Sequence, residues 1–203
     1  MPSPFSSERA IRGAAVDRAR TLWPQARIIH ELNVDQGEAR ADLAVVTPSR
    51  LILIEVKSER DKLHRLSHQL RHFGPVAHAV IVAAHDRWCV GSKLPNECVR
   101  TIIDYAGVGH LWQHPSGKMW TAPAMYAVPW HWRMLSLLWS DELRGIASRL
   151  NLARVQSATT NELARSLALL MPGRDIELAV CSALRQRQFS EADPPVVEAN
   201  DAA

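Results

Sequence analysis

The apolar positions of this chain change their period along its length, and each change marks an element. Ser6 or Ser7 can cap a first helix that runs to about Trp23, with Ile11, Ala14, Ala15 and Leu22 at helical spacing and Pro24 as its stop. Two strand-like runs follow, Arg27 to Val34 and Ala39 to Val46, joined by Asp35-Gln36-Gly37-Glu38, a hairpin connection with the glycine such turns need. After Thr47-Pro48-Ser49-Arg50, a third strand spans Leu51 to Lys57. The period then returns to that of a helix over Asp61 to Phe73, where Leu63, Leu66, Leu70 and Phe73 recur. Ala79 to Ala84 is a continuous apolar run, the pattern of a buried strand. Helix, three-stranded antiparallel meander, helix and strand together predict an α/β core with helices on both faces.

Between Asp86 and Arg133 the pattern is less regular. Leu111 to Pro115 and Met119 to Ala122, joined by Ser116-Gly117-Lys118, read as a second hairpin, and Pro123 and Pro129 bracket an irregular stretch. Three helices are expected afterwards, over about 134–150, 160–171 and 175–188. Thr159-Thr160-Asn161-Glu162 fits a capping box, and Pro172-Gly173 separates the last two. The division this implies is a domain over 1–133, a helical C-terminal region over 134–189 and an acidic tail over 190–203 expected to be disordered.

Composition narrows the classes. Apolar residues make up 47% of 203 residues, enough for a packed core. Five of the seven Trp lie between Trp112 and Trp139, which points to packing there. The formal charge is +3, although residues 190–203 carry four acids and no Lys or Arg, so the remainder is more basic still and a polyanionic partner is permitted. Cys89, Cys98 and Cys181 are scattered and form no C-x-x-C pair, which fits a reducing compartment and no structural zinc knuckle. Without a membrane-length apolar run or a signal-type apolar stretch before Trp23, a cytoplasmic protein is expected.

The candidate chemistry lies on the meander. A hairpin centred on Gln36 and Gly37 sets Glu31 opposite Asp42, and one centred on Pro48 and Ser49 sets Asp42 opposite Glu55. Opposed residues have Cβ atoms about 4.5–5.5 Å apart, so three carboxylates fall in one row. Lys57, two residues beyond Glu55, projects from the same face. Such a row repels itself and loses hydration, a cost that a divalent cation would offset. Hard oxygen ligands suit Mg²⁺ or Mn²⁺.

Ala41-Asp42-Leu43 with Ile54-Glu55-Val56-Lys57-Ser58 resembles the PD-(D/E)XK motif of restriction-endonuclease-like nucleases, with Ala41 where that family usually has Pro. The continuation through Glu59, Arg60, Asp61, Lys62 and Leu63 to Gln69 resembles small bacterial members of the superfamily. The resemblance covers about residues 5–90. It implies a restriction-endonuclease-like core with a helical C-terminal appendage, a Mg²⁺ or Mn²⁺ cofactor and a DNA substrate cut by hydrolysis, in DNA repair or defence. Asp42 and Glu55 would be metal ligands, Glu31 would join them, Lys57 would handle the attacking water, and Gln69 would face the site from the following helix. A homodimer would suit cleavage of both strands. The competing reading is a nucleic-acid-binding protein that keeps the fold without catalysis, and an RNA substrate is a third.

Other groups carry plainer readings. His64, His68 and His72 share a helix stripe that can hold a transition metal or form a polar face. Asp61 and Arg65 are spaced for an ion pair, and His131 sits between two Trp as a packing residue. The last two helices read as a helical bundle, or as a helix-turn-helix with Arg174, Arg185 and Arg187 turned to phosphates.

Overall fold

A computed structural model describes residues 7–88, 109–114, 126–152 and 155–196. Ser7 Oγ accepts the N–H of Ala10 (3.2 Å) and opens α1, Glu8–Leu22. The helix ends where Trp23 meets Pro24, whose ring disfavours helical backbone in the residue before it. Ile11, Ala15 and Ala19, spaced four apart, bury one stripe against Ile28, Leu43, Ile52, Ile54 and Ile81 of the sheet.

The sheet contains β1 (Arg27–Val34), β2 (Ala39–Val46), β3 (Leu51–Lys57), β4 (Ala79–His85) and β5 (Gly109–His114), hydrogen-bonded in that order. Strands β1, β2 and β3 form the antiparallel meander, with Val34 opposite Ala39 and Val46 opposite Leu51, the registers that the two turns dictate. The chain then crosses through α2, Leu66–Phe73, so that β4 lies parallel to β3. Every residue of β3 is buried, as in a strand covered on both faces. Helix α2 starts five residues later than its periodicity suggests, because Asp61 Oδ2 accepts the N–H and hydroxyl of Ser58 (2.6 and 2.7 Å) and holds a turn instead. Residues 111–114, expected in a second hairpin, pair in parallel with β4; the expected partner, 119–122, lies outside the described residues.

The pleat contains one irregularity that bears on function. On β1, Ile29 faces the α2 side of the sheet, and so do Leu32 and Val34, of opposite parity. On β2 the same change separates Ala39 and Ala41 from Ala44 and Val46. Pairing keeps its register across the break, from His30 with Leu43 to Leu32 with Ala41. Both strands therefore invert at the opposed residues Glu31 and Asp42. Glu31 carries the irregularity, with φ 56, a left-handed backbone inside a strand.

The C-terminal half is α3 (His131–Leu135), α4 (Ser140–Arg149), α5 (Thr160–Leu170) and α6 (Gly173–Gln186). The expected single helix 134–150 is two, because Ser136 to Trp139 turn the chain and Glu142 accepts the Trp139 N–H (2.6 Å) to begin α4. Helix α5 has the expected capping box, Thr159 with Glu162. Met134, Leu135, Leu163, Leu167, Ile176, Val180 and Leu184 share one core with Leu53, Leu66 and Phe73, so these helices cover the α2 face rather than standing apart.

Residues 190–196, expected to be disordered, are ordered against the sheet. Ala192 bridges Ile29, the His30 N–H donates to Glu191 O, and Asp193 exchanges hydrogen bonds with Ile28. The physical reason is the open edge of β1, whose backbone groups need partners. Arg27, almost wholly buried, ties both ends together: its guanidinium donates to the carbonyls of Leu184, Arg185, Arg187 and Asp193. The helix-turn-helix reading loses two of its three arginines on similar grounds, while Arg174 stays exposed beside Glu177. Arg185 is buried and donates to Gln25 O and Val46 O, while buried Arg187 donates to Leu137 O and pairs with Glu142. Neither guanidinium reaches a surface where a phosphate would lie. No helix among the described residues is long and apolar enough to cross a membrane.

Candidate functional site

Strands β2 and β3 stay paired from Val46 with Leu51 to Leu43 with Ile54. One residue further, Asp42 turns its carboxylate into the ladder, and Oδ2 accepts the Val56 N–H (2.7 Å). The acids are thus placed where regular pairing stops. An open cleft of about 530 Å³ lies there, lined by Glu31, Asp42, Glu55, Lys57, Arg65 and Gln69 among others.

Two charge clusters occupy it. In the first, Glu55 and Lys57 alternate on β3, and the Lys57 ammonium donates to Glu55 Oε1 (2.6 Å). Gln69 on α2 completes the contact: its amide N–H donates to the same Oε1 (2.6 Å) and its carbonyl accepts from Lys57 (3.2 Å). Both charged side chains are nearly buried, with side-chain exposures of 3% for Glu55 and 8% for Lys57. Glu55 Oε2 is buried without a hydrogen-bond partner among the described residues. Burial, then the nearby Asp42 charge, push the Glu55 carboxyl up to about 7, against the pull of Lys57 and Gln69. Asp42 is raised as well, by burial first, with the Val56 N–H and Arg12 opposing.

The second cluster contains a residue that the meander does not supply. Arg12, on α1, donates through Nη1 to Glu31 Oε1 (2.7 Å) and through Nη2 to Asp42 Oδ1 (2.9 Å) and Glu8 Oε1 (2.8 Å). Glu31 also pairs with Arg40 (2.8 Å). Burial works against the Arg12 charge, yet the hydrogen bond that it donates to Glu31 and the charge of Asp42 outweigh it and raise its pKa.

The structure therefore brings Asp42, Glu55, Lys57 and Gln69 together and sets Glu31 beside Asp42, but it divides the row of acids between a lysine and an arginine. Among the described residues, no three His, Cys, Asp or Glu side chains stand in metal-holding geometry. That statement also covers His64, His68 and His72: His72 instead pairs with Asp35 (2.7 Å), and His68 lies against the His72 ring. Asp61 is engaged by Ser58 rather than by Arg65, which is exposed at the rim of the cleft. His131 packs against Gly173 and lies 3.5 Å from Glu177. Buried Cys181 is no nucleophile, its thiol pushed up to about 12 by burial and by Glu177.

Fold and cleft define an α/β protein whose described residues form a mixed five-stranded sheet, with a meander that presents acid, amine and amide groups at one point. A family model described as bacteriophage P4 protein cII matches residues 5–192, and the chain belongs to that family. No curated protein and no solved structure matches it.

Proposed function

We propose that the cleft hydrolyses DNA phosphodiester bonds with the help of a divalent cation, Mg²⁺ or Mn²⁺, within a restriction-endonuclease-like core. The observation that carries this reading is Glu55 Oε2, a buried carboxylate oxygen without a donor among the described residues, set beside a buried lysine and near a second carboxylate. A carboxyl held at about 7 is one whose charged form lacks stabilisation, and oxygens of Asp42 and Glu55 have the hardness that such cations select. The residues fit the ion as a two-carboxylate site, with Glu31 as an auxiliary ligand if Arg12 withdraws.

A bound divalent ion lowers the pKa of its water and neutralises charge on the phosphate. This chain's own groups do the rest. The Lys57 ammonium is held by Glu55 and Gln69 so that it can orient a water or meet charge developing on a phosphate oxygen. Gln69 is a positioning residue, fixing Lys57 and Glu55 through one amide. Water attacks phosphorus, the bond to the sugar oxygen breaks, and that oxygen leaves with a proton.

The test is cleavage of single-stranded, duplex and branched DNA with Mg²⁺ or Mn²⁺ by wild type and Lys57→Ala. Metal-dependent cutting by wild type, abolished in a folded mutant that still binds DNA, is the expected result. Equal cutting by the mutant would sink the mechanism, and a homodimer would show as paired cuts on opposite strands. One observation favours the second reading, a nucleic-acid-binding protein without catalysis: Arg12 already neutralises Glu31 and Asp42. Wild type that binds DNA or RNA yet takes up no Mn²⁺ and cuts neither would establish that reading.

A further inference from the structure

We infer that Arg12 is an internal competitor for the cation of this site, holding Glu31 and Asp42 closed until a divalent ion takes their oxygens. The inference rests on the nuclease reading and adds to it a gate built from helix α1.

The geometry is specific. The guanidinium spends both terminal nitrogens on acids, with Nη1 on Glu31 Oε1 (2.7 Å) and Nη2 on Asp42 Oδ1 (2.9 Å). Nη1 also reaches the Asp42 backbone carbonyl (3.3 Å), so both oxygen types of that residue are engaged. Asp42 Oδ2 is already committed to the Val56 N–H, which leaves Oδ1 as the oxygen best placed to ligate a cation, and Arg12 holds it. Glu55 presents the opposite situation, with a buried oxygen that meets no donor among the described residues. Half of the candidate site is open and half is closed by a cation that the chain itself supplies. A divalent ion touching Oδ1 would stand within a few ångströms of the guanidinium, where like charges in a poorly solvated cleft repel strongly. The two cations exclude each other.

The contact has a way to open. Arg12 is bonded to Glu8 one turn earlier on its own helix, at an exposed position. A rotation of the side chain toward Glu8 releases Glu31 and Asp42 without moving the buried stripe Ile11, Ala15 and Ala19. Glu31 stays held by Arg40, so its left-handed backbone keeps an anchor.

The test is Mn²⁺ binding, read from the loss of the free-ion electron paramagnetic resonance signal, for wild type, Arg12→Gln, Glu55→Gln and the double mutant, with circular dichroism as the folding control. The expected result is that Arg12→Gln binds Mn²⁺ at least ten-fold more tightly than wild type and that Glu55→Gln removes the gain. Equal or weaker binding by folded Arg12→Gln, with wild type binding normally, overturns the gate and leaves the nuclease reading standing. A gain that survives Glu55→Gln places the ion elsewhere and also overturns it. If neither wild type nor Arg12→Gln takes up Mn²⁺, both readings fall. Should Arg12→Gln not fold, Arg12→Lys replaces it: a single point charge without the fork should give a smaller gain, and no gain refutes the competition.

Discussion

In the ion-free protein, Glu55 should make folding stability fall as pH rises through mild acidity. Its carboxyl is raised from 4.5 to about 7, burial being the main cause. For a carboxyl raised on folding, the folded state binds the proton more tightly, so the unfolded state carries fewer protons between the two pKa values. Stability therefore decreases with pH across that window and levels off above about 7. A shift of this size corresponds to on the order of 3 kcal/mol at about 1.4 kcal/mol per unit. Little of it is screened, because the side chain is 3% exposed. Glu55→Gln removes the titration. It also leaves Lys57 without its anion, which displaces the mutant's stability by an offset, so the difference in pH slope carries the test. The assay is urea unfolding in the presence of a chelator at intervals from pH 4.5 to 8. Wild type should lose on the order of 3 kcal/mol relative to Glu55→Gln across the series. A difference between the two that stays constant within about 0.5 kcal/mol would refute the claim that Glu55 is buried without adequate partners. Adding Mn²⁺ at the alkaline end should restore stability to wild type alone, because there the Glu55 carboxylate is already ionised and an ion that ligates it binds only the folded state.

Gln69→Leu should leave the fold intact and lower the cleavage rate constant about ten- to a hundred-fold with KM little changed, since the amide touches Glu55 and Lys57; an unchanged rate constant would remove Gln69 from the site. Arg27→Met should destabilise the protein by about 3–5 kcal/mol in urea unfolding, because four backbone carbonyls lose a buried charged donor; a loss below about 1 kcal/mol would show that the closing segment contributes little. Gly173→Ala should cost about 1–3 kcal/mol, its new Cβ colliding with the His131 ring. His131→Ala in the same chain should recover most of that loss, and additive effects in the double mutant would refute the clash.

What the sequence made legible was whatever local turns control. Gly37 and the Pro48-Ser49 pair fix the centres of their hairpins, and the observed registers follow from those centres. The placement of Lys57 with Glu55 follows from strand alternation alone. Alternation fails at Glu31 and Asp42, because a left-handed Glu inside a strand leaves no glycine to announce it. Arg12 was hidden because turn arithmetic says nothing about how a helix is rotated over the sheet. A signal did exist: three carboxylates in a row require a counter-charge, and the first helix carries Glu8 and Arg12 one turn apart. The closing segment is not legible in the sequence because its acids suggest solvation, whereas Asp193 meets Arg20 and the β1 edge from far along the chain.

The position of the cleft follows from a failure of pairing. Had β2 and β3 continued their ladder, the Val56 N–H would have met a backbone carbonyl and Asp42 would have projected from one face like any strand residue. Because Asp42 answers that N–H with its own carboxylate, one oxygen is fixed to β3 and the other is turned toward α1. That single substitution of side chain for backbone joins the two charge clusters, since the carboxylate raising Glu55 is the one that Arg12 holds. Asp42→Asn should therefore act on both sides at once. It would keep an acceptor for Val56, loosen Arg12 and lower the Glu55 carboxyl toward its ordinary range, so the fall of stability with pH should shift to lower pH. That shift is measurable by the same unfolding series, and its absence would mean that Asp42 and Glu55 do not share one electrostatic site.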